Sequence, residues 1–328
     1  MKLKRIILFT TIIFIFTINS QIINQNNNIK NPPYISKSEF VFDTLVSITL
    51  YNSSNEKVLD QAFDLCQEYE NKFSKTIPSS EISIINNSHG QPTKVSTPTL
   101  ELLDTAIYYS VISNGAFDVT IEPLSSLWNF KKHIVPDPID IQSASQNVNY
   151  KNIQLNFLDN TVTLSNPDTQ IDLGGIAKGF IADQVKEFLL KNKIEHALIN
   201  LGGNVLTINN KPNGHNFVIG IQKPFAKLGE IITTHQISDK SLVTSGIYER
   251  YFENNGQLYH HIIDPKTGYP CETDLYGVTI ISKDSVAGDA LSTICLIKGL
   301  DEGIAFIKSL DDISAIFIDD NFNIIYVD

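Results

Sequence analysis

The stretch Asp172–Leu190, DLGGIAKGFIADQVKEFLL, leaves the chain few options. Thr169–Leu173 reads as a short strand. Gly174 and Gly175 give a backbone free to take positive φ and to let another group approach closely. From about Ala177 the apolar residues Ile181, Val185, Phe188 and Leu189 recur at helical spacing. A strand that passes through a glycine turn into a helix start gathers free N–H groups at the positive end of the helix dipole, which suits an anion such as phosphate. The same pattern also describes a plain tight connection. Neither the P-loop nor the G-x-G-x-x-G dinucleotide fingerprint is present.

A chain of 328 residues with 42% hydrophobic content can bury a sizeable core. Its net charge of −11 argues against nucleic acid and anionic membrane surfaces as partners, and no basic run interleaved with aromatics occurs. An acidic protein that handles phosphates needs a metal cation or local N–H groups to do so. Lys2, Lys4 and Arg5 precede an apolar run from Ile6 that closes near Ser20, the pattern of an export signal over residues 1–20. An uncleaved segment would instead be a membrane anchor. Residues 21–38, rich in Asn and Gln with Pro32-Pro33, read as a disordered tether. Three cysteines, Cys66, Cys271 and Cys295, form no spaced metal motif, and no structural disulfide is expected.

From residue 39 onward, strands and helices are mixed. Glu39–Tyr51 reads as one strand, Glu56–Phe73 and Pro98–Ser113 as helices, and Asn114-Gly115 as a helix stop. Leu127–Ile141 is charged and contains prolines, which reads as a surface excursion. Val148–Leu164 reads as two strands, followed by strands at Ala197–Leu201, Val218–Gln222, Ile231–Ile237 and Tyr276–Ile281. Helices are expected at Ser285–Ile297 and Glu302–Leu310, then a closing hairpin. The many hairpin turns imply an α+β fold with mixed, mostly antiparallel sheets and flanking helices, one domain of two lobes spanning 39–328.

Several clusters could carry chemistry. Asp289 and Thr293 lie four apart near a helix start and share one face. A carboxylate and a hydroxyl, with backbone carbonyls and water, make a hard oxygen set that suits Mg²⁺. The alternative is an Asp capping its own helix. His260 and His261 point to opposite faces of an extended segment. His261 is either a proton acceptor or a structural histidine held by Asp264 or backbone. Phe117 offers a ring face and Asp118 an acceptor, or they are a core Phe and a turn Asp. Asp172 either accepts from a ligand or caps the glycine turn.

Five motifs stand in order: GAFDVT with Pro123-Leu124 and Trp128 downstream, DLGGIAKG, NLGGN, SG followed by HHIIDP-TG, and GDALST. This set, running from about Val41 to the C-terminus, resembles the ApbE family of FAD:protein FMN transferases. The resemblance implies an ApbE-like fold and a Mg²⁺-dependent attack that cleaves the pyrophosphate of FAD. FMN passes to a Thr or Ser hydroxyl of an acceptor protein and AMP leaves. It implies that Asp289, Thr293 and the carbonyl of Gly175 bind Mg²⁺, and that Asp172 and Lys178 contact FAD. Ala116, Phe117 and Asp118 would line the nucleotide pocket. His261 would be the base, and His261 and Ile262 would also contact FAD. Two positions depart from the family pattern: Phe42-Asp43-Thr44 where Met-Gly-Thr is common, and Thr76 where a Tyr is common. Both fall near the flavin or adenine, and Phe42 can stack where Thr76 cannot. With the export signal, the acceptor would be a flavoprotein subunit of an envelope redox system, in the periplasm or on the outer face of the inner membrane. An FAD pyrophosphatase and a non-catalytic flavin-binding protein are the rival readings.

Overall fold

The computed structural model describes residues 33–328; the expected export signal and most of the tether lie outside the described residues. The unit Tyr34–Asp328 is held together by one eight-stranded sheet. Its strands are β1 (Tyr34–Val41), β2 (Thr44–Tyr51), β6 (Ala197–Leu201), β7 (Asn204–Ile208), β10 (Ser241–Gly246), β13 (Leu275–Ser282), β14 (Ser314–Asp319) and β15 (Ile324–Val327), in the order β1-β2-β6-β7-β10-β13-β14-β15. Every neighbouring pair is antiparallel. Small ribbons of β3 (Thr93–Lys94), β4 (Ile153–Asn156) and β5 (Thr161–Leu164), of β8 (Phe217–Gln222) and β9 (Ile231–Ile237), and of β11 (Tyr251–Asn254) and β12 (Gln257–His260) surround it. The helices are α1 (Glu56–Phe73), α2 (Glu81–Asn86), α3 (Thr97–Ile112), α4 (Glu122–Ser125), α5 (Pro138–Ser145), α6 (Ala177–Lys191) and α7 (Ser285–Ile307). The expected α+β class with mostly antiparallel sheet is what forms.

Strand period decides how the sheet is sandwiched. Val278 and Ile280 of β13, with Ala315 and Phe317 of β14, face the main core under α6 and α7. The alternating Ile281, Ile316 and Ile318 face a second cluster roofed by Phe217, Ile221 and Ile237 of the β8–β9 ribbon. Both faces of β13 are covered, so it reads as a continuous apolar run rather than an alternating one.

The structure corrects several expectations. The span Glu39–Tyr51 is a hairpin that begins at Tyr34, inside the expected tether, and turns at Phe42-Asp43 with φ of 57° and 56°. Two positive-φ residues are the geometry of a two-residue primed turn, where Asn-Gly would have announced it. Thr169–Leu173 is extended but carries only the single bridge Ile121–Gln170. Asn86 takes the place of a neighbouring strand there, accepting from the Ile171 N–H and donating to the Ile171 carbonyl. Leu127–Ile141 runs over the surface at Lys131–Ile134 and Asp137–Asp140 but is anchored by buried residues. Trp128 is buried with Leu124, Ile141, Phe252 and Ile263 in a third cluster, and its indole N–H donates to the Gly268 carbonyl. The charged Lys131 and Lys132 face outward while the aromatic residues anchor the segment. Three buried apolar clusters form within the unit Tyr34–Asp328. The two expected C-terminal helices are both present, joined through a kink at Gly299, whose φ of 74° breaks the helical run.

The close approach of α6 and α7 depends on Gly179. A Cβ there would collide with the Ser285 carbonyl and lie 2.6 Å from the Val286 Cα, both backbone and unable to give way. Gly179→Ala is expected to cost about 1–3 kcal/mol through forced backbone displacement. Thermal or urea unfolding monitored by circular dichroism measures it, and an unchanged midpoint would mean the two helix starts are not rigidly packed.

Candidate active site

The glycine turn works by close approach, not by positive φ. Neither Gly174 nor Gly175 is among the positive-φ residues. A Cβ on Gly175 would lie 3.2 Å from the Phe117 ring and 3.9 Å from the Thr293 hydroxyl. GAFDVT, DLGGIAKG and GDALST therefore meet at one backbone segment.

At the start of α6 an anion is indeed bound, and it belongs to the protein. The Asp289 carboxylate is 5% exposed, accepts from the Gly179 N–H at 2.6 Å, and accepts from the Asn204 side-chain amide at 3.2 Å. The helix dipole and two donors offset the cost of burying its charge. Asp289 does not cap α7. That task falls to Asp183 on α6, which accepts from the Ser285 and Val286 N–H groups at 2.8 and 2.9 Å. Burial pushes the Asp183 carboxyl up to about 7, against the pull of its two amide donors. The spacing Gly179–Asp183, four apart on one helix face, was the signal for it. Ser285 completes the chain by donating to Asn204 at 2.6 Å. Thr293 is half-buried one turn beyond Asp289, and its hydroxyl lies 3.4 Å from the Asp289 carbonyl.

These donors fit a hard divalent cation. A buried carboxylate, a hydroxyl and the carbonyl of a glycine whose missing Cβ leaves room are all oxygen ligands, and Mg²⁺ commonly takes one carboxylate and completes its shell with water and phosphate.

The other expected residues divide. Asp172 caps the glycine turn, accepting from the Gly174 N–H at 2.8 Å, and pairs with Lys75 at 2.7 Å. Lys75 also pairs with Glu122, which accepts from Ser125 at 3.0 Å. Sequence reasoning missed this network, because its members are 97 and 47 residues apart. It ties the loop that carries the exposed Thr76 to the glycine turn. Asp118 is the turn carboxylate of its two alternatives. One oxygen accepts from the Thr120 N–H and hydroxyl, the other from the Tyr150 N–H at 2.9 Å, so its side chain is spent within the loop. Ala116 and Phe117 are buried, and Phe117 lies against Gly175. Phe42 is half-buried at its hairpin turn, its N–H donating to Glu70 at 2.8 Å. Beside it Thr44 fits against Gly202 of NLGGN, where a Cβ would lie 2.5 Å from the Thr44 Cγ2.

The two histidines separate by role. His260 is inward and structural: one ring nitrogen lies 3.1 Å from the Cys271 carbonyl and the other accepts from the Ile262 N–H. Ile262 is buried with its carbonyl bonded to the Cys271 N–H, so its backbone is committed. His261 follows the end of β12, fixed by its N–H to the Arg250 carbonyl at 3.1 Å. Asp264 does not hold it; that carboxylate caps the DPKTG turn through the Lys266 N–H. The His261 Nδ1 is buried with no hydrogen-bond partner. Burial first, then the nearby Arg250 and His260, lower its ring to about 4. Lys178 is half-buried, makes no ion pair among the described residues, and also acts on His261 and on Glu249.

The sequence profile of the ApbE family matches residues 42–317. The chain belongs to the ApbE family. It is similar to the FAD:protein FMN transferase of Klebsiella pneumoniae strain 342, 38% identical over 293 residues covering 88% of this chain and 90% of that one. It is also similar to the enzyme of that name from Treponema pallidum strain Nichols, 32% identical over 86% of this chain and 84% of that one. The crystal structure of the ApbE protein from Thermotoga maritima superposes with a TM-score of 0.83 at 28% identity, covering 90% of this chain and 97% of that one. The flavin transferase ApbE from Vibrio cholerae gives 0.79 at 26% identity over the same shares.

Burial lowers His260 as well as His261 to about 4, so in this ApbE-family chain both rings are neutral across the neutral range. As pH falls below the ordinary imidazole value of about 6.5, the unfolded chain takes up protons that the folded one refuses until about 4. Their stabilising contribution, complete above about 6.5, is lost over that window. Asp183, raised, contributes with the opposite sign, so the ring protons must be read directly. Nuclear magnetic resonance titration, with His260→Gln and His261→Gln to assign signals, is expected to give midpoints near 4 for these two rings. A midpoint near 6.5 for His261 would place it in water.

Proposed function

We propose that this chain is a Mg²⁺-dependent FAD:protein FMN transferase. The observation that carries the reading is the meeting of Gly175, Thr293 and Asp289 at one helix start, with the uncommitted cation Lys178 beside them. The Gly175 carbonyl, the Asp289 carboxylate and the Thr293 hydroxyl would hold the metal. When bound, it would neutralise diphosphate oxygens and stabilise the leaving phosphate.

The protein's own groups supply the rest. Lys178 adds positive charge where the diphosphate lies, in a chain whose net charge is −11. Ala116 and Phe117 form the wall behind Gly175, and the Lys75–Asp172 pair fixes the turn against the loop at Thr76. Phe42 and the backbone around Asp118 and Ile262 frame the FAD pocket in this reading. His261, kept neutral by burial, takes the proton of an acceptor Thr or Ser hydroxyl. The freed oxygen attacks the FMN phosphorus, the phosphoanhydride bond breaks, and AMP leaves with the bond electrons. The product is a phosphoester of FMN on the acceptor. The leader at residues 1–20 supports export, so the acceptor is an envelope flavoprotein subunit in the periplasm or on the outer face of the inner membrane, and an uncleaved leader would keep the enzyme membrane-associated.

Incubation with FAD, Mg²⁺ and an exported acceptor bearing a suitable Thr should add one FMN to the acceptor by mass spectrometry. His261→Gln should slow transfer by about 10²–10⁴-fold, the usual worth of a positioned base, while FAD binding persists. Asp289→Ala should abolish Mg²⁺-dependent turnover. Free FMN and AMP with no labelled acceptor would mean that water replaces the hydroxyl and the chain is a pyrophosphatase.

A further inference from the structure

Arginine is nearly absent from this chain. Of its 25 basic residues 23 are lysine, and the two arginines are Arg5, in the leader, and Arg250. The fold uses an ammonium at every basic position but one, so position 250 is where a guanidinium is retained. The two groups are not equivalent. Lysine offers a hydrated point charge, whereas arginine presents a planar fork that matches two phosphate oxygens at once and never loses its proton.

The placement of Arg250 gives that fork a target. Tyr251 pairs with His260 at the end of the β11–β12 ladder, and the His261 N–H donates to the Arg250 carbonyl at 3.1 Å. Arg250 and His261 thus stand opposite each other just past the end of the ladder, joined by that one backbone bond. Arg250 is exposed and makes no ion pair among the described residues. Lys75, the other cation near the glycine turn, is already matched by two carboxylates. The positive charge of Arg250 falls on the same two groups, Glu249 and His261, that feel Lys178. Two cations that make no ion pair among the described residues therefore act on one histidine, one from α6 and one from the β10–β11 connection. That histidine is His261, whose buried Nδ1 has no partner.

We propose that Arg250 clamps the diphosphate of FAD through its guanidinium, from the His261 side of the site, with Lys178 as the second cation. The inference rests on the transferase reading and adds to it a phosphate-binding residue. In transfer, charge spreads over the phosphoryl oxygens next to the base, where a forked donor holds it best.

The test compares the full chain with Arg250→Ala, Arg250→Gln and Arg250→Lys, titrating FAD and riboflavin by flavin fluorescence, with thermal unfolding as the folding control. Loss of a charge-assisted pair should weaken FAD binding about 10- to 100-fold in Arg250→Ala, with riboflavin, which lacks phosphate, changed by less than about two-fold. Methylguanidine should restore part of the loss in Arg250→Ala, and Arg250→Lys should stay at least about five-fold weaker than the parent. Should Arg250→Ala fail to fold, the Gln and Lys variants carry the comparison. Equal effects on FAD and riboflavin, unchanged FAD affinity, full affinity in Arg250→Lys, or a rise only in the KM for acceptor would each overturn the clamp. A parent protein whose FAD binding depends on Arg250 but which never labels an acceptor would sink the transferase reading and leave the clamp standing.

Discussion

The site is assembled on one buried carboxylate. Asp289 stands at the N-terminal end of α6 while belonging to α7, so the bond from the Gly179 N–H joins the two helices at the level where the glycine turn begins. Burying such a charge is costly unless donors and dipoles compensate it, and here one oxygen meets a helix start and the other an amide of β7. The arrangement requires a residue without a side chain at 179, because the backbone of Ser285 and Val286 fills the space a Cβ would need. Helix contact, charge compensation and ligand geometry are thus one constraint.

A second layer keeps that carboxylate aimed. Asp183 caps α7, Ser285 bonds Asn204, and Ser241 bonds Ser285 at 2.9 Å, so α6, α7, β7 and β10 share one polar seam inside an apolar interior. Buried networks of this kind are favourable only when every member is satisfied. This seam explains why NLGGN belongs with motifs far from it in sequence: Asn204 serves Asp289, and Gly202 makes room for Thr44.

Much of this was legible in the chain because it is local. Helical period fixed α1 and α6, turn glycines marked the ends of α3 and β6, and the spacing of Asp289 and Thr293 placed both on one face. What was not legible depends on partners distant in sequence. Asp118 and Asp172 each read as a ligand acceptor or as a turn residue until the Tyr150 N–H and Lys75 are brought to them. Asn86 replaces a strand partner for Ile171, so a segment that reads as sheet is held by a side chain. Trp128 turns an apparently exposed, charged segment into the anchor of the Gly268 turn. Phe42-Asp43 makes a positive-φ turn without the residues that usually announce one, a strained geometry that persists only where its surroundings over-determine it.

In an acidic chain, a cation is useful to a diphosphate only if the fold has not already matched it. Lys75 is matched twice and acts as a structural tie. Lys178 and Arg250 make no ion pair among the described residues, and from two different elements both act on His261 and on the Glu249 carboxylate. The same unmatched charge, added to burial, keeps the His261 ring unprotonated, so the groups that attract phosphate also hold the imidazole in the form that can accept a proton. Binding of the anion and the charge state of the base therefore follow from one electrostatic arrangement, and a substitution that pairs either cation with a new carboxylate would weaken the hold on the diphosphate while letting the imidazole rise toward its ordinary value.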